Sequence, residues 1–135
     1  MDFELSASQK EIRDAVAALC ARFGNEYWRR CDEHNAYPDE FVKTLSEAGW
    51  LSALIPQEYG GAGLGMVEAS LILEEINRSG GNAVACHAQM YTMASILKHG
   101  SAEQKERYLP RIASGELRLQ SFGITEPDAG SETPR

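Results

Sequence analysis

The period of the apolar residues changes once along this chain, and that change constrains the fold more than any other feature. Up to Gly115 apolar side chains recur at three- and four-residue spacing; beyond it Leu117, Leu119 and Ser121 alternate with Arg118, Gln120 and Phe122. The first spacing lines one face of a helix, and the second is the two-residue period of a strand. Helices followed by a strand predict a mainly α chain. Residues 1–115 are read as an up-and-down helical domain of about five helices, and residues 116–135 as the incomplete beginning of a β domain.

Local signals place the helices. Ser8-Gln9-Lys10-Glu11 reads as a capping box, and Ile12, Val16, Leu19 and Phe23 continue a stripe that predicts a helix to about His34, weakened at Gly24. Pro38 with Asp39 and Glu40 opens a second helix, with Phe41, Leu45 and Ala48 on one face and Gly49 as its stop. Leu54 to Gly65 reads as a loop, ordered if Tyr59 packs. Leu71, Ile72, Glu75 and Ile76 belong to a third helix ended by Gly80-Gly81, with Glu74-Glu75 read as a solvated face. A fourth, from about Asn82 to His99, carries almost no charge before Lys98, as a helix buried on most sides does. Ser101-Ala102-Glu103-Gln104 is a capping box for a fifth, which Pro110 is expected to kink or split.

Composition narrows the function classes. A formal charge of -7 and a pI near 4.9 speak against nucleic-acid binding, which draws on neutralised phosphates. The three cysteines, Cys20, Cys31 and Cys86, show no C-x-x-C spacing, and the acidic start Met1-Asp2-Phe3-Glu4 is unlike a leader. No run approaches the roughly 18 apolar residues of a membrane span. These features predict a cytoplasmic protein with free thiols and no membrane span.

The strongest motif is Phe122-Gly123-Ile124-Thr125-Glu126-Pro127-Asp128-Ala129-Gly130-Ser131-Glu132-Thr133. A strand ending at Ile124 runs into a turn whose outward N–H groups suit anionic or carbonyl oxygens, and Thr125 adds a hydroxyl at the strand edge. A plain surface turn accounts for the same residues. The stretch resembles the acyl-CoA dehydrogenase signature, Thr-Glu-Pro-x-Ala-Gly-Ser-Asp behind a short apolar strand, at the head of that family's middle β domain. Leu54-Ile55-Pro56-Gln57-Glu58-Tyr59-Gly60-Gly61 resembles its Pro-Glu-Glu-Tyr-Gly-Gly loop, and Gly100 to Pro110 resembles its Gly-(Ser/Thr)-x-x-Gln-Lys-x-x-(Tyr/Trp)-Leu-Pro segment.

The resemblance implies an oxidoreductase that desaturates an acyl-CoA at Cα–Cβ with hydride transfer to FAD. Phe122, Ile124, Thr125, Gly130 and Ser131 would contact FAD, Thr125 on the pyrimidine side and Gly130 and Ser131 near the pyrophosphate. Ser131 would also touch the pantetheine arm, and His87, Tyr91 and Thr92 would line the acyl tunnel. Phe122 stands where many members carry tyrosine, and Glu132 where aspartate is usual. The resemblance assigns the catalytic glutamate to a carboxy-terminal helical domain, so no catalytic residue is expected among these 135, Glu126 included, and the chain alone is expected not to turn over. It also implies a homo-oligomer and an electron-transfer flavoprotein or another acceptor.

Other chemistries find less support. Cys86 and His87 are adjacent and do not converge on one ion, His34 and His99 lack paired ligands, and no metal site is expected. The glycines from Gly60 to Gly65 spell neither a dinucleotide fingerprint nor a P-loop. The alternatives are a flavin oxidase or monooxygenase of the same fold, and a helical interaction domain without flavin.

Overall fold

The computed structural model describes residues 4–128 and Gly130. Among them are α1 (Ala7–Cys20), α2 (Asn25–Glu33), α3 (Asp39–Glu47), α4 (Met66–Arg78), α5 (Val84–His99) and α6 (Ala102–Ala113), with 3-10 turns at Trp50–Ser52 and Gln57–Tyr59 between α3 and α4. The chain is mainly helical as its periodicity predicts, with one helix more. No helix among the described residues is long and apolar enough to cross a membrane.

The extra helix comes from a break in the first apolar stripe. Gly24 is extended (φ −76°, ψ 179°) and starts α2, so one helix to His34 is replaced by two. The bend is held by aromatic packing. Trp28 Nε1 donates to the Phe23 carbonyl at 3.1 Å, and Phe23, Tyr27, Trp28 and Phe41 meet edge to face with centroids 4.8 to 5.2 Å apart. Each such pair contributes about 0.5–1.5 kcal/mol beyond its buried area.

The cap of α1 is Ser6, not Ser8. Ser6 Oγ accepts the Gln9 N–H at 3.2 Å and Gln9 Oε1 accepts the Ser6 N–H at 3.0 Å. A tertiary tie selects this register: Gln9 Nε2 donates to Glu68 Oε1 at 2.9 Å, and the same carboxylate accepts the Gly65 N–H at 3.1 Å where α4 begins. The hydrogen bond from Gln9 holds the Glu68 carboxyl below its ordinary 4.5. A carboxyl whose folded pKa is depressed stabilises the fold above its unfolded pKa, and this is lost as pH falls through the folded value. Glu68→Gln is expected to flatten the drop in urea midpoint below about pH 4.5. A slope identical to that of the unsubstituted protein would reject the link.

Glu75 corrects the expectation of a solvated acidic pair. Glu74 is exposed, but Glu75 is 2 % exposed, on the stripe with Ala69, Ile72 and Ile76 that α4 buries. Its oxygens accept from Arg78 Nη2 at 2.6 Å and Nε at 2.8 Å. A carboxylate can be buried when a fork-shaped donor satisfies both oxygens.

Pro110 does not split α6, which runs on to Ala113. Proline there forfeits one backbone bond in the last turn, while Leu109 and Ile112 on either side are fully buried and hold the helix in place. Ser101 caps it as predicted, accepting the Gln104 N–H at 3.2 Å while Gln104 Oε1 accepts the Ser101 N–H at 2.8 Å.

Two apolar cores result. The larger joins α1, α3, α4 and the first half of α5 through Val16, Phe23, Phe41, Leu45, Ile72 and Ile76; the smaller joins Ile55, Met93, Leu109 and Ile112, with Tyr59, Leu117 and Leu119 packed against it. Cys20 and Cys86 lie in the larger core, and burial pushes the Cys86 thiol up to about 12 and raises Cys20 as well. A thiol reagent at mildly alkaline pH is therefore expected to modify half-exposed Cys31 in the folded protein and the other two only after denaturation. Peptide mass spectrometry distinguishes them.

The strand expected over Leu117 to Ile124 does not form; among the described residues there is no strand. A strand needs a neighbour to complete its ladder, and this segment finds helix side chains instead. Gln89 Oε1 of α5 accepts the Leu119 N–H at 2.9 Å, and Gln120 Nε2 donates to the Ala85 carbonyl at 3.4 Å.

Candidate functional site

The site is organised by α5. Its N-terminus is fixed by Asn82, whose Oδ1 accepts the Val84 N–H at 2.9 Å. Ala85, Cys86, Gln89 and Met93 are buried, while Val84, His87 and Tyr91 form an open face. α4 packs chiefly on α1, and α5 on α6 and the 3-10 turn at Trp50–Ser52. The two helices are thus held by different neighbours, and a groove is left between them.

That groove has a volume of about 240 Å³, with Leu54, Met66, Leu73, Met90, His87 and Tyr91 among its walls. A second compartment of about 270 Å³ adjoins it, lined by Leu73, Asn77, Ala83, Val84 and His87. A larger hollow of about 550 Å³ lies along α1 and α4. Its two cations are already matched, Arg13 to Asp14 at 3.2 Å and Arg78 to Glu75 at 2.6 Å, which leaves Glu74 as the further charge on its wall. The apolar groove with a few polar groups has the character of a small-molecule site.

Aromatic rings carry the groove towards the signature segment. His87 meets Tyr91 edge-on at 5.0 Å, and Tyr91 meets Phe122 at 5.0 Å with 34° between planes. Phe122 and Ile124 are 46 % and 63 % exposed, Thr125 is exposed, and a Cβ added at Gly123 or Gly130 would meet nothing within 4 Å. Those residues fit a planar heterocycle, which would cover apolar side chains now in water.

Of the residues singled out from the sequence, His87, Tyr91 and Phe122 come together, with Ile124 and Thr125 following on the same segment. Thr92 does not line the groove: it lies about 100° around the helix from Tyr91, is 8 % exposed, and its hydroxyl has no hydrogen-bond partner among the described residues. Gly130 is exposed, and Ser131 lies outside the described residues. Among the described residues no three His, Cys, Asp or Glu side chains converge as a metal site would require. Sequence reasoning missed Met66, Leu73 and Met90, whose helical spacing reads as core, and Gln89, a buried polar residue with no local signal.

The comparisons with known proteins bear on this arrangement. The family model for the acyl-CoA dehydrogenase N-terminal domain matches residues 6–116. This chain belongs to the acyl-CoA dehydrogenase family. It is 36 % identical over 129 residues to acyl-CoA dehydrogenase FadE12 of Mycobacterium tuberculosis, covering 95 % of this chain and 33 % of that protein. The structure of a glutaryl-CoA dehydrogenase in complex with glutaryl-CoA superposes with a TM-score of 0.83 at 34 % identity, over 98 % of this chain and 35 % of that one. A Bacillus anthracis acyl-CoA dehydrogenase complexed with FAD gives 0.77 at 31 % identity, over 96 % and 23 %. The chain thus spans about a third or less of the length of these relatives.

In this acyl-CoA dehydrogenase family member Gln89 ties α5 to the stretch that leads into the signature segment, through the Leu119 N–H. Gln89→Leu keeps the bulk and removes the acceptor for Leu119. It is expected to cost about 1–3 kcal/mol, the penalty for leaving a part-buried donor unpaired. Faster hydrogen exchange at the Leu119 amide would locate the loss, and unchanged exchange would refute it.

Proposed function

We propose that this chain supplies the acyl groove and part of the flavin edge of an FAD-dependent enzyme that desaturates an acyl-CoA at Cα–Cβ. The observation that carries the reading is the 5.0 Å contact between Tyr91 and Phe122, which joins an apolar groove to an exposed apolar edge ending in Thr125. A substrate with its tail in the groove would have its thioester end delivered to that edge.

A bound FAD would supply the acceptor for the hydride that leaves Cβ. The residues of this chain bind and orient. Phe122 and Ile124 would give the ring an apolar face and Thr125 a hydroxyl on its pyrimidine side, and Gly130, beside which a Cβ would meet nothing within 4 Å, leaves room for phosphates near which the resemblance also puts Ser131. Met66, Leu73 and Met90 exclude water from the tail, and Tyr91 closes the junction. The resemblance assigns the base that takes the α-proton to a carboxy-terminal helical domain, and not to Glu126 beside the Thr125 edge. The domain division follows: residues 1–115 hold the tail, residues 116–135 begin the flavin-binding domain, and a homo-oligomer passing electrons to an electron-transfer flavoprotein or another acceptor completes the picture.

The test uses the intact polypeptide. It is expected to carry a flavin absorbance or take up added FAD, and to lose that absorbance anaerobically when an acyl-CoA is added. A colourless protein that takes up no FAD would overturn the proposal and favour a helical interaction domain.

A further inference from the structure

The groove between α4 and α5 is divided. Along α4 its wall runs from Met66 through Ser70 and Leu73 to Asn77; along α5 it runs the opposite way, from Ala94 through Tyr91 and His87 to Val84. The helices are therefore antiparallel across it, and its two compartments share only Leu73 and His87. At about 240 and 270 Å³, each compartment is smaller than the roughly 300 Å³ at which ligand pockets begin, while the two joined exceed it. His87 is kept at the divide by its edge contact with Tyr91 at 5.0 Å.

The geometry points to His87, facing Leu73, as a partition that sets how long an acyl tail the groove accepts. This rests on the acyl-CoA reading above. A tail entering past Tyr91 fills the Met66 compartment first and meets the imidazole where the second begins. The ring fills the passage that Leu73 borders from the other side, so the second compartment stays unused while His87 stands in place. Removing the ring joins the volumes and extends the apolar wall to Val84 and Ala83.

The experiment is calorimetric titration of the intact polypeptide with S-alkyl-CoA thioethers of increasing chain length, which cannot react because they lack the carbonyl that acidifies the α-proton. Each methylene that finds apolar wall is worth about fourfold in affinity. For the unsubstituted protein affinity is expected to rise with length and then level off. In His87→Ala the rise is expected to continue for several further methylenes, giving at least a tenfold gain (about two methylenes at fourfold each) for the longest tails. His87→Phe, which keeps a ring at the divide, should retain the plateau, and Leu73→Ala should relax it from the other wall. Parallel curves for His87→Ala and the unsubstituted protein would overturn the partition while leaving the acyl reading intact. Failure of every thioether to bind the unsubstituted protein would overturn both.

Discussion

Phe41→Ala is expected to lower the unfolding free energy by about 3–5 kcal/mol, the cost of emptying a fully packed aromatic site. Phe41 is fully buried, its ring stands edge-on to Phe23 at 5.2 Å and to Trp28 at 4.8 Å, and its backbone N–H donates to Tyr27 Oη at 3.2 Å. The side chain thus joins α3 to α2 and to the turn between α1 and α2. Domains of this kind have about 5–15 kcal/mol of stability in all, so the change removes a large share of it. Urea unfolding should show a lower midpoint with the slope unchanged. A loss under about 1 kcal/mol would mean the site collapses around the smaller residue, contrary to the packing described.

Gly61→Ala is the second large effect, and it acts through the backbone. A Cβ at Gly61 would lie 2.1 Å from the Ile55 carbonyl oxygen and 2.4 Å from Ile55 Cβ. Neither can yield cheaply, since Ile55 is fully buried in the smaller core and its carbonyl accepts the Gly63 N–H at 2.8 Å. The loop must open to admit the methyl group, which places the cost at about 3 kcal/mol, the upper end for overpacking. Gly123→Ala is the control, with nothing within 4 Å of the added carbon, and should stay within about 0.5 kcal/mol. Equal unfolding midpoints for the two variants would show that the loop is not closed as described.

The helices were legible because their signals are local. Ser101 with Gln104, Pro38 before Asp39, and Gly49 at φ +80° mark their boundaries through bonds and dihedrals within a few residues, and the structure puts α3 and α6 there. The Tyr59 loop was legible for the same reason. Three readings failed where side-chain contacts decided, two of them between separate helices and one within α4. Ser8 lost to Ser6 because Gln9 reaches Glu68 across the fold, the helix to His34 broke because Trp28 packs on Phe41, and Glu75 was buried because Arg78 covers both its oxygens.

The candidate site divides in the same way. The signature from Phe122 to Ser131 and the near-uncharged α5 can be read off the residues, because a motif is a property of neighbours in the chain. That His87, Tyr91 and Phe122 form one line, that Thr92 turns away from it, and that α4 supplies the opposite wall are products of packing. Sequence by itself determined that the chain is mainly helical, where α3 and α6 begin, and which family it belongs to. Only the tertiary structure decided which face of α5 stays open, because that depends on α4 being held by α1 and α5 by α6, two choices made by side chains far apart in the chain.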